Sequence, residues 1–387
     1  MEEKIWLSSP HMGGSEKKYI EQAFDGNWIT SLGPNISGFE KDIQRFLGED
    51  VHVAAVSSGT SALHLALILL GVQAGDEVLC QSLTFIASAN PIVYLGANPI
   101  FIDSEPETWN ICPIALEEAI IDRIKKGKKV KAIIAVSLYG MPYKVNEIQA
   151  IASKYNIPLI DDSAEALGSS YKGKKCGSFG DFSIVSFNGN KIITTSGGGA
   201  LIVKDKADRD RAVFLSTQSK DDAPHYQHSQ LGYNYRLSNI SAGIGRGQME
   251  VLEDRIVQRR KNHDFYAEVF KNIPGISLLT EPNADYFSNY WLNTILIDPK
   301  LANCDREILR LALLKEGIES RPLWKPLHLQ PIFKNCEFYG GSIAENLFEQ
   351  GLCLPSGSNM TMHQRDYIKQ VLQEVLIVCE REIKNKV

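Results

Sequence analysis

Three short runs carry residues whose types and spacing could do chemistry. In the first, Ser57-Ser58-Gly59-Thr60-Ser61 follows a β-branched run and opens a helical pattern. A strand-to-helix junction presents free backbone N–H groups and the positive end of the helix dipole, so it can cradle a small anion while the hydroxyls add donors. The same residues alone would also make a simple N-cap and turn. In the second, Leu159-Ile160-Asp161-Asp162-Ser163-Ala164-Glu165 puts two carboxylates at the end of an apolar run. Ligands of open α/β sheets bind outside the carboxyl ends of the strands, so an acid there is placed for chemistry, although Asp is equally a turn and cap residue. In the third, Ser186-Phe187-Asn188-Gly189-Asn190-Lys191 leads into Thr194-Thr195-Ser196-Gly197-Gly198-Gly199. A lysine among glycines and small polar residues just past a buried strand is poorly explained as a solubilising charge, the usual use of lysine. Together the runs offer an anion cradle, an acid for a pyridine nitrogen and an amine for an aldehyde. Those are the protein groups that a pyridoxal phosphate site needs.

Such groups must be held by a scaffold, and the pattern between Val51 and Val203 supplies one. Short β-branched runs alternate with longer helical stretches, the signature of a mostly parallel sheet covered by helices. Strands are predicted at 52–56, 77–81, 99–103, 130–137, 157–161, 181–187 and 200–203, and helices at 61–70, 85–95, 113–126 and 143–155. Beyond residue 250 a long charged helix over 251–271 gives way to short elements that fit a smaller α+β domain. The predicted division is therefore a large α/β domain over 1–250 and a small C-terminal one over 251–387.

Composition excludes other classes. Of 387 residues, 44% are hydrophobic and 22% charged, which matches folded globular chains rather than disordered ones. A net charge of -5 offers no basic stripe for a phosphate backbone, so nucleic acid is not an expected partner. Seven scattered cysteines without a closely spaced doublet read as reduced thiols, not disulfides or a zinc site, and no metal is expected. The start of the chain has no signal-peptide pattern and the longest apolar run, near Ala62 to Val72, is too short for a bilayer. A cytoplasmic protein without a membrane partner is the expectation.

Three of these runs, extended to Ser58-Gly59-Thr60-Ser61-Ala62-Leu63, Asp162-Ser163-Ala164-Glu165-Ala166-Leu167-Gly168 and Ser186 to Lys191 with its glycine tail, combine with Gly232-Tyr233-Asn234-Tyr235-Arg236-Leu237. In that order they resemble the signatures of the DegT/DnrJ/EryC1/StrS sugar aminotransferases, from about Ser8 to Pro355. The resemblance implies a fold type I pyridoxal-phosphate-dependent aminotransferase, similar in architecture to aspartate aminotransferase. It implies that Lys191 forms the Schiff base with pyridoxal 5′-phosphate and later carries the proton, as the cofactor cycles through its pyridoxamine form. It also implies that Asp162 keeps the ring nitrogen protonated, that Gly59, Thr60 and Ser186 bind the phosphate, that Phe85 stacks on the ring, and that Glu165 lies near the ring hydroxyl. Asn234 would reach the phosphate of the neighbouring subunit, which implies an obligate homodimer. Sugar dehydratases on the same scaffold carry histidine at the lysine position, so Lys191 points to amino transfer.

Two departures narrow the substrate. Many members have Gly-Glu-Gly-Gly where this chain has Ser196-Gly197-Gly198-Gly199, and His or Gln where it has Glu165. With Asn188 to Ser196 and Ser320-Arg321-Pro322-Leu323-Trp324-Lys325-Pro326-Leu327-His328, they resemble the branch acting on UDP-linked 2-acetamido-2,6-dideoxy-4-keto hexoses in the bacillosamine pathway, with L-glutamate as donor. Arg321, Lys325 and His328 are candidate contacts to the diphosphate or donor carboxylate, and Trp6, Met12 and Tyr139 candidate pocket residues; each could equally be a salt bridge, a surface charge or a core aromatic. A GDP- or dTDP-linked keto-sugar is the alternative substrate. A regulator or scaffold that binds the cofactor is the non-catalytic alternative, against which Lys191, Asp162 and Asn234 together weigh. Other signals are discounted. Gly243, Gly245 and Gly247 do not follow a strand and read as close helix packing, not a dinucleotide fingerprint. His225 and His228 read as a loop, and Arg255, Arg259, Arg260 and Lys261 as a solvated helix face.

Overall fold

A computed structural model describes residues 4–384. Eight strands form the large sheet: β1 His52–Val56, β2 Glu77–Gln81, β3 Asn98–Ile102, β4 Val130–Val136, β5 Leu159–Asp162, β6 Phe182–Ser186, β7 Gly199–Val203 and β8 Phe338–Tyr339, in spatial order β1-β7-β6-β5-β4-β2-β3-β8. Their side chains alternate between two apolar clusters. Ala54, Val56, Ile184 and Leu201 join one, while Val53, Ala55, Val185, Ala200 and Ile202 join the other. The sheet is thus covered on both faces, which is why its strands read as continuous apolar runs. Apart from the helix over 85–95, the predicted strands and helices between residues 51 and 203 are found with ends moved by at most two residues.

All pairings from β6 to β8 across β5, β4, β2 and β3 are parallel, whereas β7 runs antiparallel to both β6 and β1. Parallel neighbours need a long crossover, normally a helix. The connection from Ser186 to Gly199 holds no helix, so the chain turns straight back. That return loop carries Lys191. The predicted helix over 85–95 is instead a 3-10 turn, Ile86–Ser88, followed by a short helix, Asn90–Tyr94, because Pro91 has no N–H to continue a helix and sits in the new first turn.

Helix α1 Glu16–Asp25 and α2 Pro34–Leu47 pack on α4 Asn239–Met249, while α3 Gly59–Leu69 lies on β6 and β7. The glycines of α4 allow this approach: a Cβ on Gly245 would sit 2.6 Å from the Phe39 ring, and one on Gly247 2.6 Å from the Glu16 nitrogen. Past α5, Leu252–Phe270, an antiparallel sheet of Ile276–Leu278, Asn293–Ile297, Gly351–Leu354 and Arg321–Pro322 forms a separate core with the helix Met362–Lys384. Ile5 joins that second core, and β8 returns to the edge of the large sheet. The fold is fold type I: a large, mostly parallel α/β layer with a smaller α+β layer. Among the described residues no helix is long and apolar enough to cross a membrane.

Candidate active site

A cavity of about 340 Å3 opens at the carboxyl ends of the large-sheet strands. Residues at the ends of β1, β2, β4, β5 and β6 line it, among them Ser57, Thr84, Val136, Asp162 and Ser186, where an open α/β sheet places its ligands. Lys191, on the return loop, and Trp291 and Trp324, from beyond residue 250, complete the wall.

Asp162 ends β5, and alternation along the strand sends it into the cavity while Asp161 goes to the opposite face. Asp161 is held there by Ser163 Oγ at 2.9 Å and by the N–H groups of Gly177 and Phe179 at 2.9 and 3.3 Å. Asp162 accepts from Ser88 Oγ at 2.7 Å and from the Ala164 N–H at 3.2 Å. Burial pushes its pKa up and Glu165 adds to this, while the Ser88 and Ala164 hydrogen bonds and Lys191 oppose it. A carboxylate so placed has a raised appetite for a proton and a fixed direction in which to share it. Lys191 Nζ lies 3.3 Å from Glu165 Oε1 and 4.1 Å from the centre of the Trp291 ring. Glu165 Oε2 takes the backbone N–H of Tyr139 at 2.7 Å, and Tyr139 holds a left-handed φ of 56° to offer it. Phe85 presents an exposed ring across the mouth, 6.2 Å from that of Trp324.

The anion cradle is built by close backbone approach. Ser58 caps α3, its hydroxyl accepting the Ser61 N–H at 3.0 Å, and its carbonyl takes the Ala62 N–H at 3.1 Å. That leaves the N–H groups of Gly59 and Thr60, which line the cavity without a partner among the described residues. A Cβ on Gly199 would lie 2.4 Å from the Gly59 nitrogen, and one on Gly59 3.1 Å from the Ser186 Cβ. The helix start therefore rests directly on β7 and the end of β6, and any larger residue at 199 would push it away.

Comparison with known proteins gives this geometry a context. The family model for DegT/DnrJ/EryC1/StrS aminotransferases matches residues 10–373. The chain belongs to this family. It is 50% identical over 384 residues to EpsN of Bacillus subtilis (strain 168), assigned by inference as a pyridoxal phosphate-dependent aminotransferase, covering 98% of each chain. It is 40% identical over 373 residues to the GDP-perosamine synthase of Escherichia coli O157:H7, covering 96% of this chain and 98% of that one. Among solved structures it is similar to the Spr1654 protein of Streptococcus pneumoniae in its PLP form, with a TM-score of 0.88 at 25% identity over 97% of this chain and all of that one. The PMP form of the same protein superposes with a TM-score of 0.89.

This family member is a pyridoxal-phosphate-dependent aminotransferase, and its own residues fit that cofactor: unpaired helix-start N–H groups for the phosphate, a buried carboxylate at the cavity floor and a half-enclosed amine opposite. Of the residues expected at the site, Lys191, Asp162, Gly59, Thr60, Phe85, Glu165 and Ser186 line this one cavity. Asn234 does not; it is exposed on the loop whose Tyr235 carbonyl accepts the Ser57 N–H at 2.7 Å. Several expected sugar contacts stand elsewhere in the aminotransferase chain. Tyr139 is 1% exposed, its hydroxyl accepting the Trp324 N–H at 2.9 Å, so its backbone and not its ring serves the site. His328 bridges Ser82 Oγ at 2.6 Å and Glu345 at 3.1 Å, stacks on Phe338 and does not line the cavity. Arg321 pairs with Glu319, and Met12, Trp6 and Lys325 are exposed away from the cavity of their own chain. The expectation of a solvated basic face on α5 is also corrected: Arg255 and Arg259 are buried, because their guanidiniums replace water with backbone carbonyls. Sequence reasoning missed Ser88, Trp291 and Arg259. A serine three residues after Phe85 was visible but nothing local linked it to an acid 74 positions away.

Proposed function

We propose that this aminotransferase moves the amino group of L-glutamate onto the 4-ketone of a UDP-linked 2-acetamido-2,6-dideoxy-4-keto-hexose, and that it works as a homodimer. The observation that carries amino transfer is the convergence of Lys191, Glu165 and Asp162 in one cavity with an anion cradle at its far side. When bound, pyridoxal phosphate supplies an aldehyde and an electron-withdrawing ring through which an amino group can be passed from one carbon to another. The chain supplies the rest. Gly59, Thr60 and Ser186 bind the phosphate, and Phe85 covers one face of the ring. Asp162, desolvated and aimed by Ser88, holds a proton at the ring nitrogen. Lys191 is the amine that is displaced and then carries a proton between carbons, and Glu165 Oε1 fixes where Nζ waits. Because donor and acceptor use the same groups in turn, initial rates follow a ping-pong pattern.

The sugar class is supported by the segment Ser320 to His328, which resembles the UDP-acetamido branch and delivers Trp324 to the cavity wall. The relatives named as GDP-perosamine synthases support a GDP-linked 4-keto sugar as the second reading, with 40% identity in one case. The same proposal places the domain division at 250 and brings Asn234 to the partner's phosphate. The deciding experiment follows the cofactor absorbance band of the loaded protein. It should bleach with L-glutamate and return with the UDP-linked 4-keto sugar. Return with only the GDP- or dTDP-linked sugar replaces the substrate and keeps the mechanism; no band with added cofactor ends the role given to Lys191.

A further inference from the structure

We propose that Arg259 is a positioning residue for Lys191, acting through Ser8 and Trp291. Arg259 lies on α5 and is 1% exposed. Among the described residues it forms no ion pair. Its guanidinium donates to the carbonyls of Trp291 at 2.5 Å and Ser356 at 3.1 Å and to Ser8 Oγ at 3.0 Å, and its Nε has no partner. Burial and the neighbouring Arg255 push its pKa down to about 9. Holding two layers together does not call for this, since an apolar side chain of similar volume would do so without desolvating a charge.

What the guanidinium touches gives it a use. Trp291 Nε1–H and Ser8 Oγ–H both donate to the carbonyl of Asn190, each at 2.7 Å, and that carbonyl belongs to the peptide leading into Lys191. Arginine has only donors, so Ser8 must accept from it, and the one hydroxyl proton of Ser8 is thereby committed to Asn190. The same contact fixes Trp291, whose ring lies against Lys191 Nζ. The loop is tied within itself by the Lys191 N–H on the Asn188 carbonyl at 3.0 Å, but beside that bond it is open: a Cβ on Gly189 would meet nothing within 4 Å. A lysine that leaves and returns in each half-reaction needs its backbone anchored from outside the loop, and a displacement near 1 Å costs on the order of a hundredfold in rate.

The inference rests on Lys191 as the reacting lysine, and its test includes an arm that does not. In cofactor-free protein, hydrogen exchange at the amides of residues 188–192 should accelerate on the order of tenfold in Ser8→Ala and Arg259→Met, while β5 and α3 keep their protection. In loaded protein, the rate of band bleaching by glutamate should fall on the order of ten- to a hundredfold with glutamate KM within a few-fold of the parent. Arg259→Lys, which cannot reach all three acceptors, should recover only part of that rate. If Arg259→Met does not fold, Ser8→Ala decides. Unchanged exchange at 188–192, or a rise spread over the whole large sheet, overturns the proposal. Absence of a lysine-linked band in the parent protein refutes the function given to Lys191 and leaves the exchange result to decide the role of Arg259.

Discussion

In the proposed reaction Lys191 and Asp162 divide the work of the site, and each can be removed separately. Lys191→Ala should leave the fold intact, because its side chain is spent on Glu165 and the Trp291 ring. Loaded as the pyridoxamine form, which needs no lysine for attachment, it should still react more slowly with keto-substrate by on the order of 10²–10⁴-fold, the usual worth of a placed proton carrier. Stopped-flow absorbance measures this, and a near-parent rate would assign the proton to another group. Ser88→Ala should act mainly on Asp162, since the other partner of the hydroxyl is Thr84 Oγ1 at 3.1 Å. It removes the donor at 2.7 Å and so loosens both the charge and the aim of the carboxylate. A hydrogen bond to a charged group contributes about 1.5–3 kcal/mol, so cofactor affinity should drop by an order of magnitude or more in a fluorescence titration. The lysine, the acid and the cradle were legible in the sequence because strand ends and glycine-rich turns have local signatures. Ser88 and Trp291 were not, since their use depends on which distant segment folds against them. What Tyr139 and His328 pack against was not legible for the same reason: an aromatic or imidazole near a motif looks alike in the sequence whether it lines a pocket or fills a gap.

The return loop between β6 and β7 carries Lys191, and Gly199 at its end rests against the start of α3. Gly199→Ala would put a Cβ 2.4 Å from the backbone at the start of α3, where nothing flexible can yield. Overpacking of this kind costs about 1–3 kcal/mol. The expected result is a lower melting temperature together with loss of cofactor binding; a variant that binds cofactor normally would show that the cradle is not built there. On β5, burial raises the Asp161 pKa to about 6 from 3.8. The folded chain then binds that proton more tightly than the unfolded one, so this group adds stability as pH falls from 6 toward 4 and withdraws it as pH rises through the same window. In cofactor-free protein, Asp161→Asn should flatten the pH dependence of the urea midpoint between pH 4 and 6. Asp162, whose shift has the same sign, contributes to the slope that remains. Elements were predictable where apolar runs met clear turn signals. The direction of β7 was not, because periodicity reports burial and not the sense of a strand.

At the scale of the whole molecule the site is divided between layers, with Trp291 and Trp324 reaching the cavity from beyond residue 250 and Asn234 exposed outside it. If Asn234 serves the partner's phosphate, mixing Lys191→Ala and Asn234→Ala chains through a dissociation step should restore about a quarter of parent activity, since half the dimers then carry one intact site of two. No recovery, with mixed dimers shown by native mass spectrometry, would confine each site to one chain. Chain order within the large sheet also has a consequence for biosynthesis. Strand β3 is at the rim until residues 338–339 dock on it as β8, more than 230 residues later. A ribosome must therefore add most of the small layer while that rim is open, and an uncapped strand edge is a template for pairing with other chains. Nascent fragments stalled before Phe338 should recruit holding chaperones and aggregate on release, whereas fragments extended past Gly341 should not.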